Sequence, residues 1–330
     1  MEQPWALILA AGKGKRMYSS LPKVLHELCG RPMVEYVLKS AEQLTAKVLI
    51  VVGHGALMVQ EKFGSRYSYV LQKEQQGTGH AVMQALPQLP DEGTLMVLCG
   101  DAPLLTTEHL EGLLEVKKNC SAVVASVVIK EPAGYGRIIR GNGNQVVRIV
   151  EEKDATAEER QITEINTGTY CFDLSLLKHY LPLVKSNNAQ GEYYLTDIVA
   201  VLAEAGYSSE VYRLDDPCLG LGINNRMQLA EAAEIMRERI SHRLMLQGVT
   251  VEDPGSTYID DEVDVGPDTI IRPGTILEKG TKIGSYCTIG PYSHLVCAEV
   301  GNEAVIEHAY VKNVRIEPGE KIVPYTVKGL

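Results

Sequence analysis

The amino terminus lacks a long apolar run: the longest there, Trp5 to Ala11, is far too short to span a bilayer. It also lacks a basic leader, since Glu2 precedes that run and Lys13 follows it, so no signal peptide is expected. The seven cysteines contain no Cys-x-x-Cys pair, and their odd number suits free thiols in a reducing compartment. A cytoplasmic protein without a membrane partner is therefore expected. Positive charge is not in excess either. The formal net charge of -10 argues against nucleic-acid binding through a general basic face. One local exception stands out, because Lys13, Lys15, Arg16 and Lys23 fall in a segment with no acid. A basic loop in an acidic chain suits a small anionic ligand, although a charge run alone is more often a solvated surface.

With 330 residues, 45% of them hydrophobic, the chain exceeds one ordinary core, and two domains are expected. In the first half, short apolar runs at Ala6–Leu9, Val48–Val52, Leu95–Leu98 and Ala122–Val128 suit strands buried on both faces. Amphipathic stretches separate them, including Met33–Leu44, where Pro32 fits the first helical position, and Glu108–Val116. Such βα units predict an α/β sheet covered by helices on both sides. Beyond Gly134 the pattern predicts a hairpin, with arms 137–140 and 146–150 around the turn at 141–144, then a strand at Thr169–Phe172. Helices are expected at Glu192–Ala205 and from about Arg226 to Leu246, the second linking two domains.

From Ile259 a different period takes over. Ile259, Val265, Ile271, Leu277, Ile283, Ile289 and Leu295 recur every six residues, with Gly-Pro, Pro-Gly and Gly-Ser pairs between them. This is the hexapeptide pattern of a parallel β-helix, each aliphatic pointing into a triangular core. The register slips near Val300 and resumes at Ile306, Ile316 and Ile322, giving about four coils.

The first βα turn reads Leu9-Ala10-Ala11-Gly12-Lys13-Gly14-Lys15-Arg16-Met17, followed by Leu21-Pro22-Lys23. Glycines let backbone amides approach an anion, and Arg16 and Lys23 can neutralise its charge. The loop is neither a Walker A sequence nor a dinucleotide fingerprint, because Met17 occupies the sixth position. Downstream come Gln72 to Ala81 with Gly77-Thr78-Gly79-His80, and Cys99-Gly100-Asp101-Ala102-Pro103-Leu104. Gly134-Tyr135-Gly136, Glu151 with Lys153-Asp154-Ala155, Glu164-Ile165-Asn166-Thr167-Gly168, Asn188 to Tyr194 and Gly222-Ile223-Asn224-Asn225-Arg226 follow in order.

In this order the motifs resemble the bacterial bifunctional N-acetylglucosamine-1-phosphate uridyltransferase and glucosamine-1-phosphate acetyltransferase family. The resemblance covers roughly residues 5 to 250, the pyrophosphorylase half. It implies a Rossmann-like nucleotidyltransferase domain with a mixed, mainly parallel sheet at residues 1–226. A linker helix at 227–248 and a short left-handed β-helix at 249–330 would follow. The implied reaction joins UTP to N-acetylglucosamine-1-phosphate and releases pyrophosphate. Arg16, Lys23 and Asp101 would be catalytic, and Asp101 and Asn224 would hold Mg²⁺, whose hard-cation chemistry suits one or two protein oxygens. Leu9, Ala10, Ala11 and Gly12 would form the nucleotide site with Lys23, Cys99, Gly100 and Asp101. Gln72, Gly77 and Thr78 would meet uracil, the Gln72 amide offering both a donor and an acceptor to its imide. Gly136, Glu151, Asn166, Thr196 and Asn224 would hold the amino sugar, unless Glu151 simply lies on an exposed hairpin edge.

Two loop positions depart from the family pattern: Lys15 stands in place of the usual Thr, and Cys99 in place of an aromatic. Bifunctional relatives continue into a longer β-helix, so acetyltransferase activity is expected to be absent, and the segment from Lys321 reads as a plausible natural stop. A homotrimer is the expected assembly. Two alternatives stay open on sequence: uridylyl transfer to another sugar phosphate, and a catalytically silent sugar-nucleotide-binding protein.

Overall fold

A computed structural model of the chain describes residues 3–220 and 222–329. Glu2, one flank of the leader reading, and Leu330, the end of the terminal segment, lie outside the described residues. The chain divides into two compact units, residues 1–26 with 32–226, and residues 27–31 with 227–330.

The elements run in the order β1 (Trp5–Ala10), β2 (Glu27–Leu28), β3 (Arg31–Pro32), α1 (Met33–Glu42), β4 (Val48–Val52) and α2 (Ala56–Phe63). They continue through β5 (Ser68–Leu71), α3 (Thr78–Ala85), β6 (Thr94–Cys99), α4 (Thr107–Lys117) and β7 (Ala122–Val128). Then come β8 (Arg137–Arg140), β9 (Val146–Val150), β10 (Glu164–Asp173), α5 (Leu174–Tyr180), α6 (Asp197–Glu204), β11 (Ser209–Arg213) and α7 (Arg226–Leu246).

The main sheet of the first unit runs β11-β7-β10-β6-β1-β4-β5. Its pairs are parallel except around β10, which lies antiparallel to β6 and β7, and the β8–β9 hairpin joins through β10. The uninterrupted apolar strands follow from burial on both faces. Leu49 and Val51 of β4 enter one core cluster, while Val48, Ile50 and Val52 enter the other. From β1 the chain passes first to β4 on one side and later to β6 on the other. The carboxyl ends of β1 and β6 therefore flank a topological switch point, the place where open α/β sheets bind ligands.

Three boundaries differ from the sequence expectation. Pro32 is the N-cap of α1 rather than its first residue. Strand β10 begins at Glu164, five residues ahead of Thr169, with a register shift between Asn166 and Tyr170. The helix expected from Glu192 starts only at Asp197. The reason is backbone pairing: Tyr193 N–H donates to Gln76 O at 2.8 Å, and Tyr193 O accepts from Gly79 N–H at 2.7 Å. Those bonds hold residues 192–194 out of the helix and against the start of α3, and the chain turns into α6 at 195–196.

In the second unit, short strands stack in parallel sheets of five, five and four, one sheet for each wall of the left-handed β-helix. All seven hexapeptide aliphatics from Ile259 to Leu295 are buried, and Val300, Ile306, Val311, Ile316 and Ile322 continue the core. Between them, Thr269, Thr275 and Thr281 are wholly buried. Their hydroxyls donate to backbone carbonyls, as Thr269 does to Gly284 O at 2.8 Å, so small polar corners carry no unmet donor. Among the described residues, no helix is long and apolar enough to cross a membrane.

Candidate active site

Two neighbouring strand ends carry the centre of the site. Leu9 of β1 lies opposite Cys99 of β6, and Gly100 N–H donates to Leu9 O at 3.0 Å. A side chain at Gly100 would place Cβ 3.1 Å from that oxygen, so glycine lets the turn bearing Asp101 lie on the end of β1. A distant segment closes from the other side. Ile223 N–H donates to Asp101 O at 2.9 Å, and a Cβ on Gly222 would stand 3.2 Å from Asp101 Oδ1.

This docking brings Asp101 and Asn224 to a common point. Lys23 Nζ, from a 3₁₀ turn at Lys23–Leu25, donates to Asp101 Oδ2 and to Asn224 Oδ1, the latter at 3.0 Å. Asn224 is held in turn by its own Nδ2, which donates to Gly222 O at 2.9 Å. A carboxylate and an amide oxygen side by side are hard donors suited to a divalent cation that keeps most of its shell for phosphates and water. No group of three or more His, Cys, Asp or Glu side chains that could hold a metal is present among the described residues. The donor set thus fits Mg²⁺ better than a transition-metal cage.

A cleft of about 470 Å³ opens beside this point. Leu9, Ala10, Ala11 and Gly12 line one wall, Gln72, Gly77 and Thr78 another, and Cys99, Asp101 and Lys23 the floor. Lys13 and Lys15 also face it, whereas Arg16 is exposed and lies outside its lining, as does buried Gly100. Burial pushes the Cys99 thiol up to about 12, with the Asp101 carboxylate adding to the rise and Lys23 opposing it. Cys99 is therefore a neutral thiol, donating to Gly168 O at 3.3 Å, and not a nucleophile.

The base-loop geometry corrects one expectation. Gln72 Nε2 lies 3.1 Å from Gly77 O and 3.0 Å from His80 Nδ1, so both amide hydrogens are committed within the protein. In this arrangement the carbonyl is the part of the Gln72 side chain without a protein partner among the described residues. Gly77 has φ +109° and packs so closely on Tyr193 that a Cβ would stand 2.5 Å from its carbonyl oxygen. Thr78 Oγ1 accepts from Leu195 N–H at 3.1 Å. Loop and extended segment thus fix each other.

The residues expected to hold an amino sugar form a second group. Thr196 Oγ1 donates to Glu151 Oε1 at 3.1 Å, and a Cβ on Gly136 would lie 3.5 Å from both Glu151 oxygens. Asn166 N–H donates to Gly136 O at 2.8 Å. Glu151 is half-buried rather than on an exposed edge. Burial pushes its carboxyl above the usual range; the Thr196 hydroxyl opposes the rise, and Asp197, Asp154 and Glu192 add to it. None of Gly136, Glu151, Asn166, Thr196 and Asn224 lines this cleft. The connection runs through Gly168, whose carbonyl meets Cys99 and whose N–H donates to Asn166 Oδ1 at 3.1 Å.

Sequence reasoning missed Tyr170, whose buried hydroxyl accepts from Asn166 Nδ2 at 2.7 Å. Burial holds its phenol well above the ordinary value, with Glu151 adding to the effect. The signal was the left-handed Gly168 (φ +77°) inside an otherwise β-like run, which marks a bulge that brings positions 166 and 170 together. Gln75 and Glu192, which also line the cleft, carried no distinguishing pattern.

The chain is similar to several known proteins. Residues 6–162 match the MobA-like NTP transferase domain. The solved structure of a candidate glucose-1-phosphate thymidylyltransferase from Bacillus anthracis, in complex with a sucrose, superposes with a TM-score of 0.56. That match covers 71% of this chain and 95% of the other at 19% identity, and it speaks to the fold alone. The bifunctional protein GlmU of Thermoanaerobacter pseudethanolicus is 45% identical over 328 residues, covering 98% of this chain and 72% of the relative. Those of Enterococcus faecalis and Geobacillus thermodenitrificans are 45% and 46% identical over 329 residues, with the same coverage. With its nucleotidyltransferase sheet and its β-helix, the chain belongs to the family of bifunctional GlmU proteins.

Proposed function

We propose that this chain transfers uridylyl from UTP to N-acetylglucosamine-1-phosphate, giving UDP-N-acetylglucosamine and pyrophosphate. The observation that carries the reading is the meeting of Asp101 and Asn224 on the Lys23 ammonium, with Asp101 and Lys23 lining a cleft that has a glycine-rich wall. In the reaction the sugar phosphate oxygen attacks the α-phosphorus of UTP. One P–O bond forms as the bond to pyrophosphate breaks. The nucleophile is already an anion near neutral pH, so no general base is needed, and positioning and charge neutralisation dominate.

Asp101 and Asn224 would hold Mg²⁺, which supplies neutralisation of phosphate charge when bound. Lys23, Lys13 and Lys15 add positive charge along the cleft, and Arg16, on the adjoining turn, is placed to reach the leaving group only after a side-chain movement. Gly12 and its neighbours present backbone to the phosphates. Gln72, Gly77 and Thr78 meet the base. Gly136, Glu151, Asn166 and Thr196 hold the sugar, with Glu151 accepting from hydroxyls. The helix at residues 227–248 serves as linker to the β-helix, through which three copies associate. Acetyl transfer, the second activity of the family, is proposed to be absent from these 330 residues. Incubation with acetyl-CoA and glucosamine-1-phosphate checks that point directly.

The central test is pyrophosphate release by the purified chain with UTP and Mg²⁺, across a panel of sugar-1-phosphates. Release with N-acetylglucosamine-1-phosphate that EDTA abolishes is expected. Release only with another sugar moves the substrate and keeps the chemistry. No release from a folded chain that binds UDP-sugar sinks the enzymatic reading.

A further inference from the structure

Two carboxylates line the nucleotide cleft, those of Asp101 and Glu192. Asp101 pairs with Lys23. The half-buried Glu192 carboxylate has no hydrogen-bond or ion-pair partner among the described residues, although Lys13 and Lys15 line the same cleft.

The backbone of Glu192, by contrast, is held on both sides. Asn188 Nδ2 donates to Glu192 O at 2.6 Å, and Asn188 Oδ1 accepts from Glu192 N–H at 3.2 Å. The next residue, Tyr193, bonds to Gln76 O and Gly79 N–H. Four hydrogen bonds thus set residues 192 and 193 against the loop assigned to the base. A Cβ on Gly77 would stand 3.0 Å from the Glu192 Cβ, so this side chain starts at the base loop and lines the cleft beyond it.

An acid in a cleft that takes a polyanion is repelled by every phosphate, so it is useful only opposite a part of the ligand that offers donors. Gln72, Gly77 and Thr78 are assigned to the base, and Gly12 and Asp101 to the phosphates. Ribose lies between base and phosphate in any nucleotide, and its vicinal hydroxyls are two donors that one carboxylate can accept side by side. Acidic residues meet ribose in this way in dinucleotide-binding folds.

We propose that Glu192 is a specificity-determining residue that accepts from the ribose 2′- and 3′-hydroxyls, so that the cleft selects ribonucleotides over 2′-deoxyribonucleotides. This inference rests on the reading of the cleft as the UTP site.

The test is calorimetric binding of UTP and of 2′-deoxy-UTP to the full chain in Mg²⁺, with KM for the sugar phosphate measured alongside and circular dichroism confirming the fold of each variant. The wild type should bind UTP about tenfold more tightly than 2′-deoxy-UTP, the size expected for one charge-assisted hydrogen bond. Glu192→Ala should bring the two nucleotides within about twofold of each other by weakening UTP. Glu192→Gln, which keeps one acceptor oxygen, should fall between. If Glu192 contributed nothing but repulsion, both variants would bind the two nucleotides more tightly and by the same factor, and that result overturns the ribose contact. A folded E192A with the wild-type preference overturns it too, as does one in which the sole change is a higher KM for the sugar phosphate. A wild type that binds UTP and 2′-deoxy-UTP equally removes the selection itself, whereas one that binds neither contradicts uridylyl transfer.

Discussion

The Lys23 ammonium donates to Asn224 Oδ1 at 3.0 Å, joining side chains 201 positions apart in the chain. Because the same ammonium also pairs with Asp101, Lys23 and a divalent cation draw on the same two oxygens. Lys23→Met should therefore bind Mg²⁺ more tightly while turning over about 100-fold more slowly, as expected when a charge aimed at the reacting phosphates is lost. Metal titration by calorimetry, paired with pyrophosphate release, separates the two effects. Weaker metal binding in K23M would show that the lysine supports the metal rather than competing with it.

Asp101 is the carboxylate at the point where Lys23 and Asn224 meet. Asp101→Ala should lose metal-dependent turnover by about 100-fold or more. Its backbone carbonyl, which accepts from Ile223 N–H at 2.9 Å, remains in place, so the thermal midpoint should change little. Turnover close to wild type in a folded D101A would remove Asp101 from the metal site.

Tyr170 fixes the other end of the site. Asn166 uses Nδ2 on the Tyr170 hydroxyl and Oδ1 on Gly168 N–H, which leaves its amide one orientation. In Tyr170→Phe, Oδ1 stays on Gly168 N–H but Nδ2 loses its partner, so the amide is held at one end only. KM for the sugar phosphate should rise by about tenfold, while KM for UTP and kcat stay near wild type. An equal rise in both KM values would point to a general loosening of β10 instead.

The sheet and coils were legible because each leaves a one-dimensional trace. Val48–Val52 reads as a buried strand from its unbroken apolar run, and Ile259 to Leu295 read as coils from a six-residue period. The residues brought together at the site were legible only as motifs, since nothing local joins Asp101 to Asn224. What escaped was decided by long-range backbone pairing. Residues 192–196 read as helix in the sequence, but Tyr193 bonds to Gln76 and Gly79 and delays the helix until Asp197. The polarity of Gln72 escaped for a similar reason, because its donors are consumed by Gly77 O and His80 Nδ1 only once the loop has folded.

Asp197, at the first turn of α6, links the sugar group to folding stability. Burial pushes its carboxyl up from 3.8 to about 6, and the nearby Asp154 adds to the rise. In the unfolded chain the same group titrates near its ordinary value, about 3.9. Between those values the folded protein holds a proton that the unfolded chain has released. Stability therefore falls as pH rises through that window, and above about pH 6 the full loss persists. Glu151, also raised chiefly by burial, acts in the same sense. Asp197→Asn removes this titration without changing the shape of the side chain. Its thermal midpoint should exceed that of the wild type near pH 7.5, with the gap closing as pH approaches about 4, where the wild-type carboxyl is protonated in the folded state. Scanning calorimetry of both proteins across this range provides the check. A gap independent of pH would mean that the Asp197 carboxyl titrates alike in the folded and unfolded chains, and a wild type more stable than D197N near pH 7.5 would mean that the fold stabilises the carboxylate by more than its burial costs.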